Sequence, residues 1–534
     1  MQRLLVLIFW AVIGSSVIHA QTAGAIPIGP GQELELTNAL HKGLPVLLTG
    51  KLTLSQPLVI TNPVSIQGVA TASAILSGNN KHRLFVILPG GSLTLHNLTL
   101  IDGRQTATNI ENGGIPLTAG GAIFNDRGTL RITSCTLSNH TVLGAQGATG
   151  VYNFKPYPGQ KGGAAFGGAI YNNEGFVQVA SSMVFGNSVL AGSGGPGADG
   201  QDVGLGQSGA DGGDSGWASG GAIYSKGGAL SITNSTLERN AVYGALGGKQ
   251  GAGAGLLGFS ARPGSVNPAA GGAVYADGIT NFSITKTLFV GNSVTNAPGR
   301  MGAAVQSEKP GAAGSPGGSS FGGAIYSNTR LLLTETKFDS NVAGGGPGGI
   351  GSAAGSSLFN LIGGAGGRGG EALGGAIYSG GQGVVVVEKS LFVTNSVYGG
   401  EGGTGGAGNT PLAKIGLVGS RGLASGGTLA NQGGAFSLMD ANVGDSSSEN
   451  LFGTFQIIPS PSGFIFSMTK SDGFLTFSAP AQYVGAEVQM TTNLGTGSQW
   501  ITLEGRATLT NSAAFFRIPS PSPTNLTHVF RLKI

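Results

Sequence analysis

A five-residue phrase returns through the middle of the chain at nearly constant spacing. Gly-Gly-Ala-Ile-Phe begins at Gly120, Gly-Gly-Ala-Ile-Tyr at Gly167, Gly220, Gly322 and Gly374, and Gly-Gly-Ala-Val-Tyr at Gly271. A degraded Gly-Gly-Ala-Phe stands at Gly433, and the successive spacings are 47, 53, 51, 51, 52 and 59 residues. Repeats of this length restrict the fold to a solenoid or a propeller, because one unit cannot bury its apolar face alone and must stack on its neighbours.

Within each unit three short apolar pieces alternate at period two, as in the unit at Gly220 with Gly-Gly-Ala-Ile-Tyr, Ala229–Thr233 and Ser235–Asn240. Period-two alternation broken by Gly, Asn and Ser predicts strands. Three strands make one coil of a parallel β-helix, each pairing with its equivalent about 4.8 Å away along the axis. A seven-bladed propeller would need four strands per blade. Roughly twenty residues after each first glycine a polar residue holds one frame: His140, Asn187, Asn240, Asn292, Asn341 and Asn395. Three positions before these stand Leu137, Val184, Leu237, Phe289, Phe338 and Phe392. Stacked amides at a tight turn form a hydrogen-bonded ladder. The predicted class is therefore all-β, a right-handed parallel β-helix whose core takes Ile123, Ile170, Ile223, Val274, Ile325 and Ile377. Phe124, Tyr171, Tyr224, Tyr275, Tyr326 and Tyr378 then lie on the opposite face as a second ladder, with the first glycine and the alanine of each phrase beside them.

Glycine is the other material of the chain. It supplies 101 of 534 residues, while charged residues are only 10%, against about 7% and 25% in ordinary domains. One glycine-rich block follows the Asn frame in each coil, for example Gly194–Gly216 and Gly346–Gly370. Loops this long are uncommon unless functional or disordered. They are expected either as flexible brushes or as extended strands over the aromatic row, and Leu256, Phe259, Leu358, Phe359, Leu361 and Ile362 favour partial packing.

Residues 1–20 predict an export signal, with Arg3, the apolar run Leu4–Gly14 and cleavage after Ala20. That run is too short to span a bilayer. No later segment reaches about 18 apolar residues, so no integral membrane span is expected after cleavage. Residues 28–118 then form an N-terminal cap and the first coils. Leu34, Leu36, Ala39 and Leu40 predict a short helix there that covers the first rung. Residues 119–445 are the repeat helix with its insertions, 446–463 a linker, and 464–534 a small antiparallel β module. The single cysteine, Cys135, cannot form an internal disulfide and reads as a small buried apolar residue.

The paired motif of Gly-Gly-Ala-Ile and (Phe/Leu)-x-x-Asn resembles the repeats of chlamydia-type polymorphic outer-membrane proteins over about residues 120–440. More broadly the chain is similar to exported pectate-lyase-like right-handed β-helices. The resemblance implies a secreted or cell-surface, outer-membrane-associated, often adhesive passenger. Two departures stand out: no membrane-barrel translocator follows the repeats, and the long glycine insertions are foreign to the motif. The terminal module looks similar to small C-terminal β domains on secreted repeat proteins of environmental bacteria.

Chemistry is sparse. A hydrolase needs paired carboxylates about 5 to 9 Å apart, and the coil acids Asp102, Asp126, Glu174, Glu238, Asp277, Glu335 and Asp339 share no frame in adjacent rungs. The start of a calcium-binding nonapeptide at Gly194–Asp199 lacks the tandem copies such sites require, and Asp202, Asp211 and Asp214 follow irregularly. The histidines show no zinc spacing. No metal or cofactor is therefore expected. A net charge of +4 without a basic cluster argues against nucleic acid. The expectation is a non-catalytic structural or adhesive protein that meets surface glycans or other cell-surface proteins; the alternative is a polysaccharide lyase or glycoside hydrolase. In the aromatic row, rings can either stabilise the coil or offer flat faces and polar tips to sugars or a partner.

Overall fold

The computed structural model describes residues 24–69, 74–107, 118–203, 206–254, 258–305, 308–381, 383–439 and 450–458, together with strands between 467 and 533. The expected signal segment and Leu256 lie outside the described residues. The chain divides into two compact units, Met1–Ile457 and Ile458–Ile534.

The first unit is a right-handed parallel β-helix with five parallel sheets rather than three. In chain order a complete rung visits sheet I (Ile123–Asp126 and equivalents, ten strands), sheet II (Thr129–Thr133, twelve) and sheet III (Thr136–Ser138, nine). It then enters outer sheet IV (Thr141–Leu143, seven), passes through the glycine insertion, and returns by outer sheet V (Ala165–Phe166, seven). Sheets I to III enclose the core. Ile123, Leu130, Ile132 and Leu137 and their equivalents are fully buried, and Phe289, Phe338 and Phe392 stack inside at 4.8 Å between centroids. The sheets begin before the repeats, at Ile26–Ile28, and end at Gln456–Ile458. A helix, Glu33–His41, buries Leu36, Ala39 and Leu40 against the first rung and leaves Leu34 exposed.

The Gly-Gly pair is a corner, and the strand starts only at the following Ile. The first glycine takes φ of +63° to +69° in every copy, where a side chain is strained. A Cβ on the second would lie about 2 Å from the next rung's backbone, as from Gly221 to Gly272 O at 2.0 Å. This geometry turns Ala122, Ala169, Ala222, Ala273, Ala324 and Ala376 into the core, not onto the aromatic face as alternation from the glycine implied. The final copy is also not the one at Gly433. Leu429 pairs with Ile377, so Gly426-Gly427-Thr428-Leu429 is the corner, and Gly433–Phe436 leads into sheet II. Thr428 in the alanine position disguised it.

In the second unit Ser467–Ser471, Phe474–Pro480, Ala513–Pro519 and Thr508–Thr510 form one antiparallel sheet. Ile501–Thr502, Glu487–Thr491 and Val529–Lys533 form another.

Candidate functional site

The asparagine frame is buried, and from Asn187 to Asn341 its amides are saturated. Asn240 Nδ2 donates to Val184 O at 2.9 Å and to Asn292 Oδ1 at 3.0 Å. Asn292 Oδ1 also accepts the Asn240 backbone N–H at 3.1 Å. The same pattern joins Asn187 to Asn240, Asn292 to Asn341 and Asn341 to Asn395. His140 begins the ladder. Its Nδ1 accepts Gly103 N–H at 2.9 Å, which leaves Nε2–H to donate to Leu100 O at 3.1 Å. The imidazole thus performs the amide's two tasks toward the preceding rung, and burial drives its pKa down to about 3. Gly103 occupies the ladder position of that rung, and a Cβ there would lie 2.7 Å from Nδ1. From His140 to Asn341 these groups have no hydrogen-bonding capacity left for a ligand, and Asn395, the last of them, donates to Phe338 O.

Cys135 belongs to a comparable row. The hydroxyls of Ser182 and Ser235 donate to the carbonyl two residues back, and the Cys135 thiol does the same to Thr133 O at 3.2 Å. Burial pushes the thiol up to about 11, far from a nucleophile's range.

The aromatic row stacks along the outer face of sheet I. Centroids from Phe124 through Tyr378 lie 5.1, 5.3, 4.8, 4.5 and 5.1 Å apart, with interplanar angles of 2° to 21°. Phe166 and Phe321 of sheet V press against it, and the Arg83 guanidinium lies 5.0 Å from the Phe124 ring. Each ring's faces are occupied by its neighbours, so half-buried Tyr224, Tyr275 and Tyr326 offer only edges and hydroxyls. Desolvation raises their phenol pKa values and keeps them protonated. A sugar that stacks on a flat face finds none here. The acids on the row's own strands are also engaged: Asp126 accepts from Arg127 and Asn173, and Asp277 from Asn328; on sheet III Asp339 accepts from Lys337.

The glycine insertions are neither brushes nor a cover for the rings. Each is a hairpin of two extended arms, and the hairpins hydrogen-bond to one another as a plate. In the returning arm of the hairpin at 345–371, Gly366 N–H donates to Leu417 O of the next hairpin at 2.8 Å. Gly367 N–H donates to Gly349 O of its own outgoing arm at 2.7 Å, and Gly367 O accepts Gly403 N–H at 2.8 Å. The bonds recur every third residue, the period of a polyproline II-type helix. The glycines are required for space. A Cβ at Gly366 would lie 1.8 Å from Gly403 O and one at Gly367 2.0 Å from Ser315 O, whereas the third residue of each triplet points outward. Asp199, Asp211 and Asp214 accept backbone N–H groups of the next hairpin, at Ala252, Arg262 and Ser265. Among the described residues no group of three His, Cys, Asp or Glu side chains is placed to hold a metal.

Among the described residues the plate has finished ends. Where interior hairpins place Gly192 and Gly195 against the preceding rung, the first hairpin has Ala145 and Ala148. Positions equivalent to Gly363, Gly366 and Gly369 in the last hairpin are Ile415, Val418 and Arg421. The last arm joins the tip of the hairpin before it, where Thr410 Oγ1 bonds Asn360 Oδ1 and Leu361 N–H bonds Asn409 Oδ1. At this corner of the plate Leu358 is 99% exposed, Leu412 85%, Leu417 80%, Phe359 74%, and Ile415 and Val418 about 70%. Leu358 and Phe359 are therefore bare where partial packing was expected, whereas Ile362 is half-exposed and Leu361 partly buried, and Phe259, on an earlier hairpin, is 61% exposed. The signal for this corner was present as aliphatic residues in a block otherwise built of small ones.

No family model, no curated protein and no solved structure matches the chain.

Proposed function

We propose that this chain is an exported, cell-surface β-helical scaffold that works by adhesion, with the apolar corner of its glycine plate as the contact surface. The observation that carries the reading is the exposure of Leu358, Phe359, Leu412, Ile415, Leu417 and Val418 on two adjoining hairpins. Several large apolar side chains bared together on adjoining hairpins are uncommon on a free monomer and mark an interaction site. A plate locked by backbone hydrogen bonds presents those side chains without an ordering cost at the moment of contact. The export reading rests on Arg3, the Leu4–Gly14 run and Ala20, and the motif's likeness to polymorphic outer-membrane repeats supports an adhesive passenger.

Beads carrying the full mature chain, flowed over glass coated with alkyl silane or with polyethylene glycol, test the proposal. Retention on alkyl glass, lost in Leu358→Ser/Leu412→Ser/Leu417→Ser, is the expected result. Equal retention of wild type and variant would refute it.

A further inference from the structure

The last arm of the plate carries a row of open donors beside its bare side chains, and the interior of the plate shows what such a row holds. In the fifth hairpin the N–H groups of Gly363, Gly366 and Gly369 donate to Lys414, Leu417 and Ser420 O of the next returning arm. In the second hairpin Gly209, Gly212 and Ser215 N–H donate in the same way to Phe259, Arg262 and Ser265 O. At the equivalent positions of the last arm the N–H groups of Ile415, Val418 and Arg421 have no acceptor among the described residues. An unpaired row of this kind is a template for pairing with another chain. We infer that it binds a proline-rich, polyproline II-type segment of a partner protein, an inference that rests on the adhesive reading above and names its partner.

The donor spacing sets the backbone of the occupant. Its carbonyls must recur every third residue, which a polyproline II chain supplies at about 3.1 Å per residue and a two-residue β repeat does not. Side chains on the last arm decide the rest. In the interior a Cβ at Gly363, Gly366 or Gly369 would lie 1.8 Å from a carbonyl oxygen of the next outgoing arm, at Gly406, Gly403 or Gly400. Ile415, Val418 and Arg421 therefore stand where a further outgoing arm would run, and the edge can take one chain but not a hairpin. Arg421 shows this direction, since its Nε reaches Gly399 O of its own hairpin's outgoing arm at 3.5 Å and its guanidinium pairs with Glu401 at 3.3 Å. In the interior the third residue of each returning triplet donates to its own outgoing arm, as Gly364 does to Ser352 O and Gly367 to Gly349 O. A single chain on the last arm would turn that N–H onto Ile415 and Val418, where an unpaired donor is costly. Proline at every third position removes the N–H, fixes φ at about −65° and adds a ring to the contact. The carbonyls of such a segment meet the row of N–H groups, and its rings meet the aliphatic side chains beside them, as in the polyproline II mode of recognition.

Fluorescence anisotropy on the full mature chain tests this, with a labelled proline dodecamer as the probe and a glycine-serine dodecamer as the flexible control. Oligoproline should bind saturably and at least about tenfold more tightly than the control, which must be ordered on binding. Val418→Pro deletes one donor and keeps an apolar ring, and Pro263, at the equivalent position of the third hairpin, shows that the arm accommodates it. This variant should bind oligoproline roughly fivefold more weakly, with retention on alkyl glass unchanged. Ile415→Ser/Val418→Ser should lose on the order of tenfold or more, because the rings lose their apolar contact, and Phe154→Ser, on the first hairpin, should change nothing. Equal binding of the two peptides, or oligoproline binding that Val418→Pro leaves unchanged, would overturn the inference. A chain that stays on alkyl glass but binds neither peptide would overturn the proline-rich partner and leave adhesion standing. A chain that does neither would overturn both.

Discussion

Replacing His140 by Asn should cost the coil little at neutral pH and remove much of its sensitivity to acid. An asparagine at 140 finds the partners its equivalents use: Gly103 N–H to accept, and Leu100 O and Asn187 Oδ1 as acceptors. The smaller side chain leaves a gap above Gly103, so a cost of up to about 1 kcal/mol is expected at pH 7. The acid response follows from linkage. The ring titrates near 6.5 when unfolded and near 3 when buried. Between those values the unfolded chain binds a proton that the folded chain refuses, so stability is complete above 6.5 and falls as pH drops toward 3. At about 1.36 kcal/mol per unit, lowering the pH from 7 to 4 should cost the wild type about 3 kcal/mol through this residue alone. Urea unfolding followed by circular dichroism at pH 7 and pH 4, on both chains, gives a double difference in which shared carboxylates cancel. A double difference near zero, or one in which the wild type gains relative stability in acid, would show that His140 is not the neutral, amide-like link described here.

Three further expectations are independent of that one. Asn292→Ala leaves the Asn240 backbone N–H and one Asn240 amide hydrogen buried without acceptors; at about 1 to 3 kcal/mol each the loss should be roughly 2 to 6 kcal/mol, and an unchanged melting midpoint would refute the ladder's structural role. Gly366→Ala places a methyl group 1.8 Å from Gly403 O and should open the plate to protease, whereas Val418→Ala, at the equivalent position of the last hairpin, should be silent. Cys135→Ser should be neutral or slightly stabilising, because a hydroxyl matches the Ser182 and Ser235 row, and native Cys135, held near 11, should not react with Ellman's reagent at pH 8.

The coil was legible because its signals repeat in one frame. Ile223 and Leu237 alternate with polar neighbours, and the Asn frame recurs at the same offset from each Gly-Gly. Sheet V escaped notice because strands as short as Ala218–Ser219, built of small residues, carry no alternation, and the strands of sheet IV, such as Ala241–Tyr243, are too short at three residues to display a period. Thr428 hid the last corner, and Gly103 concealed its place in the ladder by lacking the side chain that marks the others. The plate was unreadable by hydrophobic pattern because its order is written in a three-residue glycine period. That period decides which face of an arm can be approached. The difference between Gly366 and Val418 separates an interior arm from a final one, and it becomes meaningful only once the arms are seen side by side.

The finished ends of the plate also determine how such a chain can lengthen in evolution. An interior unit such as 322–373 offers glycine to the units on either side, so a tandem copy would meet the same surfaces that the original met. A copy of the terminal unit would bring Ile415 and Val418 against a new arm, at positions where even a methyl group stands about 1.8 Å from a carbonyl oxygen in the interior. Growth by duplication is therefore permitted in the middle and forbidden at the C-terminal hairpin. The bare corner stays at the tip of the array however many units precede it.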